Sequence, residues 1–117
     1  MGLTSTNGTP DYYYEGLNRE LWVEYKWYPE EPKEIKICDT KQKVHLSMLQ
    51  QIWLERAIKN NVRVAVVIGY PKGCVVLLGR QWLAKHTASK GFLIENHKWT
   101  EIEWAEYLDD LNVQGGN

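Results

Sequence analysis

Eight consecutive residues, Leu21-Trp22-Val23-Glu24-Tyr25-Lys26-Trp27-Tyr28, alternate in the manner of a β-strand. Leu21, Val23, Tyr25 and Trp27 share one face, a continuous apolar stripe fit for a core. Trp22, Glu24, Lys26 and Tyr28 share the other, where an acid and a base stand two residues apart between aromatics. Bulky residues on both faces predict a strand covered on both sides. Glu24 and Lys26 are then withdrawn from solvent, and a partly buried charge needs a partner or a metal ion. The competing reading is an exposed same-face pair on an edge strand, worth little to stability.

The residues upstream give that acid a neighbour. Tyr12-Tyr13-Tyr14 continues from Asp11 as a strand-forming run. Glu15 to Glu20 is polar and carries the turn formers Gly16 and Asn18, so a β-hairpin with a six-residue connection is predicted. With Tyr14 opposite Leu21, Asp11 falls opposite Glu24, their Cβ atoms roughly 4.5–5.5 Å apart. A slip of one residue would send Asp11 to the wrong face. Two carboxylates that close repel unless a proton or a cation sits between them. A hard divalent cation suits such a pair.

Composition narrows the class. The 117 residues suffice for one domain with one core. Apolar residues at 44% and charged residues at 25% are those of an ordinary globular protein. Six Trp and seven Tyr against one Phe favour clefts and interfaces as well as cores. No run of 18 apolar residues exists, so no membrane partner is expected. No secretory signal opens the chain. Cys38 and Cys74 lack metal-site or CxxC spacing, so they are expected as free thiols and the protein as cytoplasmic. The formal net charge of −1 argues against a simple electrostatic nucleic-acid binder. Residues 95–110, however, hold six acids and one base, which leaves 13 bases and nine acids in residues 1–94. A mildly basic body of this kind can bind phosphates; scattered solvated charge explains it equally well.

The rest of the chain predicts an α/β or α+β domain around a mixed sheet, in the order β-β-(β)-α-β-β-α. Pro29 to Lys33 is a breaker, Glu34 to Cys38 a short edge strand, and Asp39 to Lys43 a loop. Leu46 to Asn60 has a helical period, with Leu46, Leu49, Ile52, Trp53 and Ala57 turned inward. Ser47 and Gln50 form a capping box at its start, and Asn60-Asn61 a stop. Val62 to Gly69 is a buried central strand, and Cys74 to Leu78 its antiparallel neighbour across Tyr70-Pro71-Lys72-Gly73. A short helix is expected within Gly79 to His86 and a small strand within Ser89 to Glu95. A second capping box opens a helix from Thr100 to about Leu111.

Gly8-Thr9-Pro10-Asp11, Glu24-Tyr25-Lys26 and Leu46-Ser47-x-x-Gln50-x-Ile52-Trp53-Leu54 occur in this order and are followed by the Val62–Ile68 strand. Together they resemble the PD-(D/E)XK nuclease superfamily, and within it the VRR-NUC group and its small stand-alone, phage-type members. The likeness covers roughly residues 7 to 78, with 79–117 as an extension of one domain. It implies a restriction-endonuclease-like mixed sheet flanked by helices and metal-dependent hydrolysis of DNA phosphodiester bonds. It also implies roles. Asp11, Glu24 and the backbone carbonyl of Tyr25 would hold Mg²⁺ or Mn²⁺. Lys26 would orient the attacking water or stabilise developing charge, and Gln50 would approach from the helix start. The small members of the group tend to dimerise and to cut branched DNA such as Holliday junctions, so a homodimer and a branched or duplex DNA partner are implied.

One departure bears on this. Family members begin with a long helix whose Glu completes the acidic cluster, and only nine residues precede Pro10 here. Either another subunit supplies that acid, or Asp11 and Glu24 suffice, or the chain is a non-catalytic DNA- or protein-binding accessory protein with a relict site. A nicking or restriction-like duplex nuclease is the alternative among enzymes. Each residue also has a structural explanation: Asp11 as a turn residue after Pro10, and Gln50 as a cap. His45 is expected at the surface, and His86 and His97 have no partner at metal spacing. Ser5 and Ser47 lack a nucleophile's arrangement. Trp22, Trp27 and Tyr28 are core, cleft wall or base-stacking surface. Lys41, Lys43, Arg80, Lys85 and Lys90 are candidate phosphate contacts.

Overall fold

A computed structural model describes residues 8–15, 20–87, 98–99 and 108, the pair 98–99 as backbone. The fold is mixed α+β. One sheet runs in the order β1 (Tyr12–Glu15), β2 (Glu20–Trp27), β4 (Val64–Tyr70), β5 (Gly73–Leu78) and β7 (Lys98–Trp99). The pair β2–β4 is parallel and every other pair in it is antiparallel. A parallel pair needs a long crossover. Helix α1 (Met48–Lys59) lies within it, preceded by the two-residue β3 (Glu34–Ile35).

The hairpin register is the expected one: Tyr14 pairs with Leu21 and Tyr12 with Val23. The connection is shorter than six residues, because the ladder extends to Glu15 opposite Glu20. The β4–β5 turn is tighter as well. Tyr70 pairs with Gly73, which leaves Pro71 and Lys72 as the turn.

The sheet is covered on both faces, as the bulky alternation predicts. On one side Leu21, Val23, Ala65, Val67, Cys74 and Val76 form a small cluster with Tyr14, Tyr25 and Leu108 against it. On the other, Val64, Val66, Ile68, Tyr70, Val75 and Leu77 meet Leu54 and Ala57 of α1, with Trp22, Tyr28 and Trp53 at the margin. Trp27 departs from the core stripe and is 57% exposed at the end of β2.

Helix α1 turns inward only part of the face that its apolar period suggests, keeping Trp53 and Ala57 and leaving out Leu49 and Ile52. Leu54 and Ala57 are buried, whereas Leu49 and Ile52 are 50% and 47% exposed. Leu46 is buried but precedes the first turn. The inward row is Gln50, Trp53, Leu54 and Ala57, spaced three and four residues apart as one helix face requires. A polar residue heads this row, so a reading by apolar residues alone selects its neighbours.

The segment Glu34 to Cys38 is not an edge of the main sheet. Only Glu34–Ile35 is extended, and it pairs with β6 (His86–Thr87) in a separate two-stranded sheet. Between β5 and β6 lies the expected short helix, a 3-10 turn at Gly79–Leu83. The strand Lys98–Trp99 pairs with β5 and was not expected. The strand expected within 89–95 and nearly all of the helix from Thr100 lie outside the described residues; Leu108 is helical. No helix among the described residues is long and apolar enough to cross a membrane. Cys38 and Cys74 are free thiols.

Candidate functional site: two carboxylates, a lysine and a capping glutamine

Glu24 is 2% exposed on the α1 side of β2, an interior strand of the sheet. It is one of two buried polar or charged residues among those described, the other being His86. Its two oxygens have different surroundings. Oε2 accepts a hydrogen bond from Gln50 Nε2 at 3.0 Å and lies 3.4 Å from Lys26 Nζ. Oε1 is buried and has no hydrogen-bond partner. A buried carboxylate oxygen without a donor is costly.

Asp11 stands just before β1 and is exposed. The β1–β2 register carries it toward Glu24, whose carboxyl feels the Asp11 charge through space. Burial, with Asp11 beside it, pushes the Glu24 carboxyl up to about 7 against the opposing pull of Lys26.

Lys26 is on the same face one alternation further along. Its Nζ donates to Gln50 Oε1 at 3.2 Å. That oxygen also accepts from the Ser47 backbone N–H at 2.8 Å, while Ser47 Oγ accepts from the Gln50 N–H at 3.1 Å. The capping box is complete. Capping and site assembly were alternative explanations of Gln50. One amide does both: its oxygen closes the cap and meets the lysine, and its nitrogen holds the acid.

The Tyr25 backbone belongs to the same corner. Trp22 N–H donates to the carbonyl of Arg63, just before β4, and Tyr28 N–H to that of Gly69 within it. Backbone groups alternate edges along a strand, so those of Tyr25 aim at the opposite edge. On that edge the ladder with β1 stops at Tyr12–Val23, short of Tyr25, on the Asp11 side. Its side chain is engaged elsewhere, with its hydroxyl 2.8 Å from that of Tyr14.

Gly8 is a positioning residue that pattern reading missed. It is buried, with φ of +81°, and a Cβ there would strike the Leu49 carbonyl and come within 2.7 Å of the Gln50 nitrogen. Its bare backbone therefore lies on the first turn of α1. This contact ties the strand that brings Asp11 to the helix that brings Gln50. The available signal was a glycine two residues before Pro10.

The other candidates divide. Arg80 is spent on Glu55 at 2.8 Å and Lys85 on Glu34 at 3.4 Å. Lys41 and Lys43 are exposed, and Lys90 lies outside the described residues, as do Ser5 and His97. His45 Nδ1 is 2.6 Å from the Gln42 carbonyl, away from the carboxylates in its bonding. His86 is buried, with Nε2 2.8 Å from the Gln81 carbonyl. Among the described residues no group of three or more His, Cys, Asp or Glu gathers at metal-binding distance. The donors at hand are thus two carboxylates and the Tyr25 carbonyl. The orphan Oε1 beside a second acid fits a cation, which would satisfy one and screen the other.

No protein-family model, curated protein or solved structure matches the chain.

Proposed function

We propose that the protein is a metal-dependent endonuclease that hydrolyses DNA phosphodiester bonds at the Asp11–Glu24–Lys26–Gln50 corner. The observation that carries the reading is the buried Glu24, with one oxygen held by Gln50 and Lys26 and the other bare beside Asp11. Order and spacing similar to the PD-(D/E)XK nucleases support it. Asp11, Glu24 and the Tyr25 carbonyl would hold Mg²⁺ or Mn²⁺. Such an ion, when bound, lowers the pKa of its water and neutralises charge on the phosphoryl oxygens. Lys26 supplies a preorganised positive charge next to the acids. Gln50 keeps both side chains in place, since it bonds each of them.

Branched DNA such as a four-way junction is the proposed substrate, cut by a homodimer whose two-fold places one site on each symmetric strand. Met48, Leu49 and Ile52 form an exposed apolar stretch on the helix that carries Gln50, a surface available to a second copy. The test offers junction, duplex and single-stranded DNA to the protein with Mg²⁺, Mn²⁺ or EDTA, beside Asp11→Ala and Lys26→Ala. Metal-dependent cleavage of junctions that both variants lose is expected. Absence of cleavage with either metal would remove the enzyme reading, and equal cleavage of duplex would remove the branched substrate. A monomeric solution mass would remove the dimer.

A further inference from the structure

The acidic corner continues into an aromatic groove. On β1, Tyr13 is two residues beyond Asp11 and on the same face; on β2, Trp22 is two residues before Glu24 and on the same face. On α1, Trp53 follows Gln50 by three residues, one turn along the same side. Each element that contributes to the acidic corner thus carries an aromatic ring one step further along, about 7 Å away on a strand. The rings touch in sequence. Tyr13 and Trp22 have centroids 4.6 Å apart, and Trp22 and Trp53 5.3 Å apart at an interplanar angle of 63°. That angle is an edge-to-face contact, in which the edge of one indole meets the face of the other and the two rings do not stack in parallel. The Tyr13 ring is held by its hydroxyl, which donates to Glu20 at 2.9 Å and Glu15 at 3.3 Å.

Trp22 and Trp53 line a groove of about 240 Å³ together with Arg56, Ala57, Asn60 and Val62. That is smaller than the roughly 300–1,000 Å³ of pockets that take a whole drug-sized ligand, and it suits one planar group. Arg56 is exposed and takes part in none of the ion pairs among the described residues. A row of acids, then ring faces, then an unopposed cation matches a nucleotide strand: a phosphate at the acids, a base at the rings, the next phosphate at the guanidinium. Base stacking on aromatic walls next to cations is the usual physics of single-strand binding.

The geometry points to a base-stacking subsite at Trp22 and Trp53, flanked by Arg56, which takes an unpaired nucleobase next to the phosphodiester held at Asp11 and Glu24. This rests on the phosphodiesterase reading above and, within branched DNA, favours a flap or gapped junction with an unpaired base at the cut over a fully paired four-way junction. In a paired duplex the base is stacked on its neighbours and cannot enter the groove.

The test measures binding of a short fluorescent oligothymidylate by anisotropy, in EDTA and in Ca²⁺. An abasic strand of equal length and a blunt duplex serve as controls. Wild type should bind the base-bearing strand about 10-fold more tightly than the abasic one, the value of one stacked base. Trp53→Ala should abolish that difference, and Trp53→Phe should restore most of it. Arg56→Glu, at an exposed position that leaves the core untouched, should weaken both strands alike. Equal affinity of wild type for the base-bearing and abasic strands would overturn the subsite, as would tighter binding of duplex. Unchanged binding by Trp53→Ala and Arg56→Glu with a fall in solution mass would reassign the groove to self-association. Base-dependent binding without cleavage in Mg²⁺ or Mn²⁺ would remove the nuclease reading and keep the stacking site. Cleavage with base-independent binding would do the reverse.

Discussion

The side-chain amide of Gln50 donates to the Glu24 carboxylate at 3.0 Å from the third position of the helix that it also caps. A capping interaction is worth about 1 kcal/mol, and a partner that holds a metal ligand is worth about 10- to 100-fold in affinity or activity. The two roles can therefore be separated. Ser47→Ala and Gln50→Ala should each lower stability by about 1 kcal/mol in denaturant unfolding. Only Gln50→Ala should also reduce metal-dependent cleavage, by about 10- to 100-fold. Equal activity of the two variants would leave Gln50 as a cap alone.

Stability should depend on pH through Glu24. Burial raises its folded-state pKa to about 7 from an ordinary value of 4.5. The folded state then holds a proton that the unfolded chain has released, so stability falls as pH rises. The contribution is whole below the unfolded value and is lost as pH climbs through the folded one. Without divalent metal, the melting temperature should drop by several degrees between pH 5 and pH 8, on the order of 2 kcal/mol. Added Mn²⁺ should recover that loss at pH 8 and do little at pH 5, where the proton competes. Glu24→Gln should flatten the dependence.

Gly8 should tolerate no side chain. An added Cβ meets the Leu49 carbonyl and the residue sits at positive φ. Gly8→Ala should cost about 2 kcal/mol or more in unfolding experiments. It should also weaken Mn²⁺ binding by calorimetry, since the displaced segment carries Asp11. Unaltered Mn²⁺ affinity in a folded Gly8→Ala protein would show that the segment does not position the acid.

The two faces of α1 should differ sharply in mutational cost. Leu54→Ala empties a buried site and should cost 2–5 kcal/mol. Leu49→Gln and Ile52→Gln act on side chains exposed in one copy and, at concentrations low enough to keep the protein monomeric, should stay within about 0.5 kcal/mol of wild type. Melting curves of the three variants suffice.

Much of this was legible in the chain because it depends on local rules. Alternation of period two set the faces of β2, and the covering of both followed from bulk on each. The strand pattern and the turn formers between its halves marked a hairpin, for which the pairing of Tyr14 with Leu21 was the register assumed, and Ser47-x-x-Gln50 marked the helix start. What escaped is non-local. The inward face of α1 was read in part: Trp53 and Ala57 lie on it as expected, but Gln50 heads it in place of Leu49 and Ile52, drawn in by an acid and a lysine. Glu34–Ile35 found a separate partner in His86–Thr87, a pairing across 50 residues that no local pattern contains.

The same division runs through the candidate site. By itself the sequence determined that an acid and a base stand on one face of a strand; that a second acid lies in register beside them was one of the pairings it allowed, and the structure selected it. The first relation follows from the fixed geometry of the extended chain. The tertiary structure alone decided that Gln50 bridges the acid and the base, that Gly8 locks the Asp11 segment to α1, and that Trp22 meets Trp53 next to the acids. Each of these joins a strand to a helix, and which face a helix turns to a sheet is settled by packing and by the satisfaction of buried polar atoms.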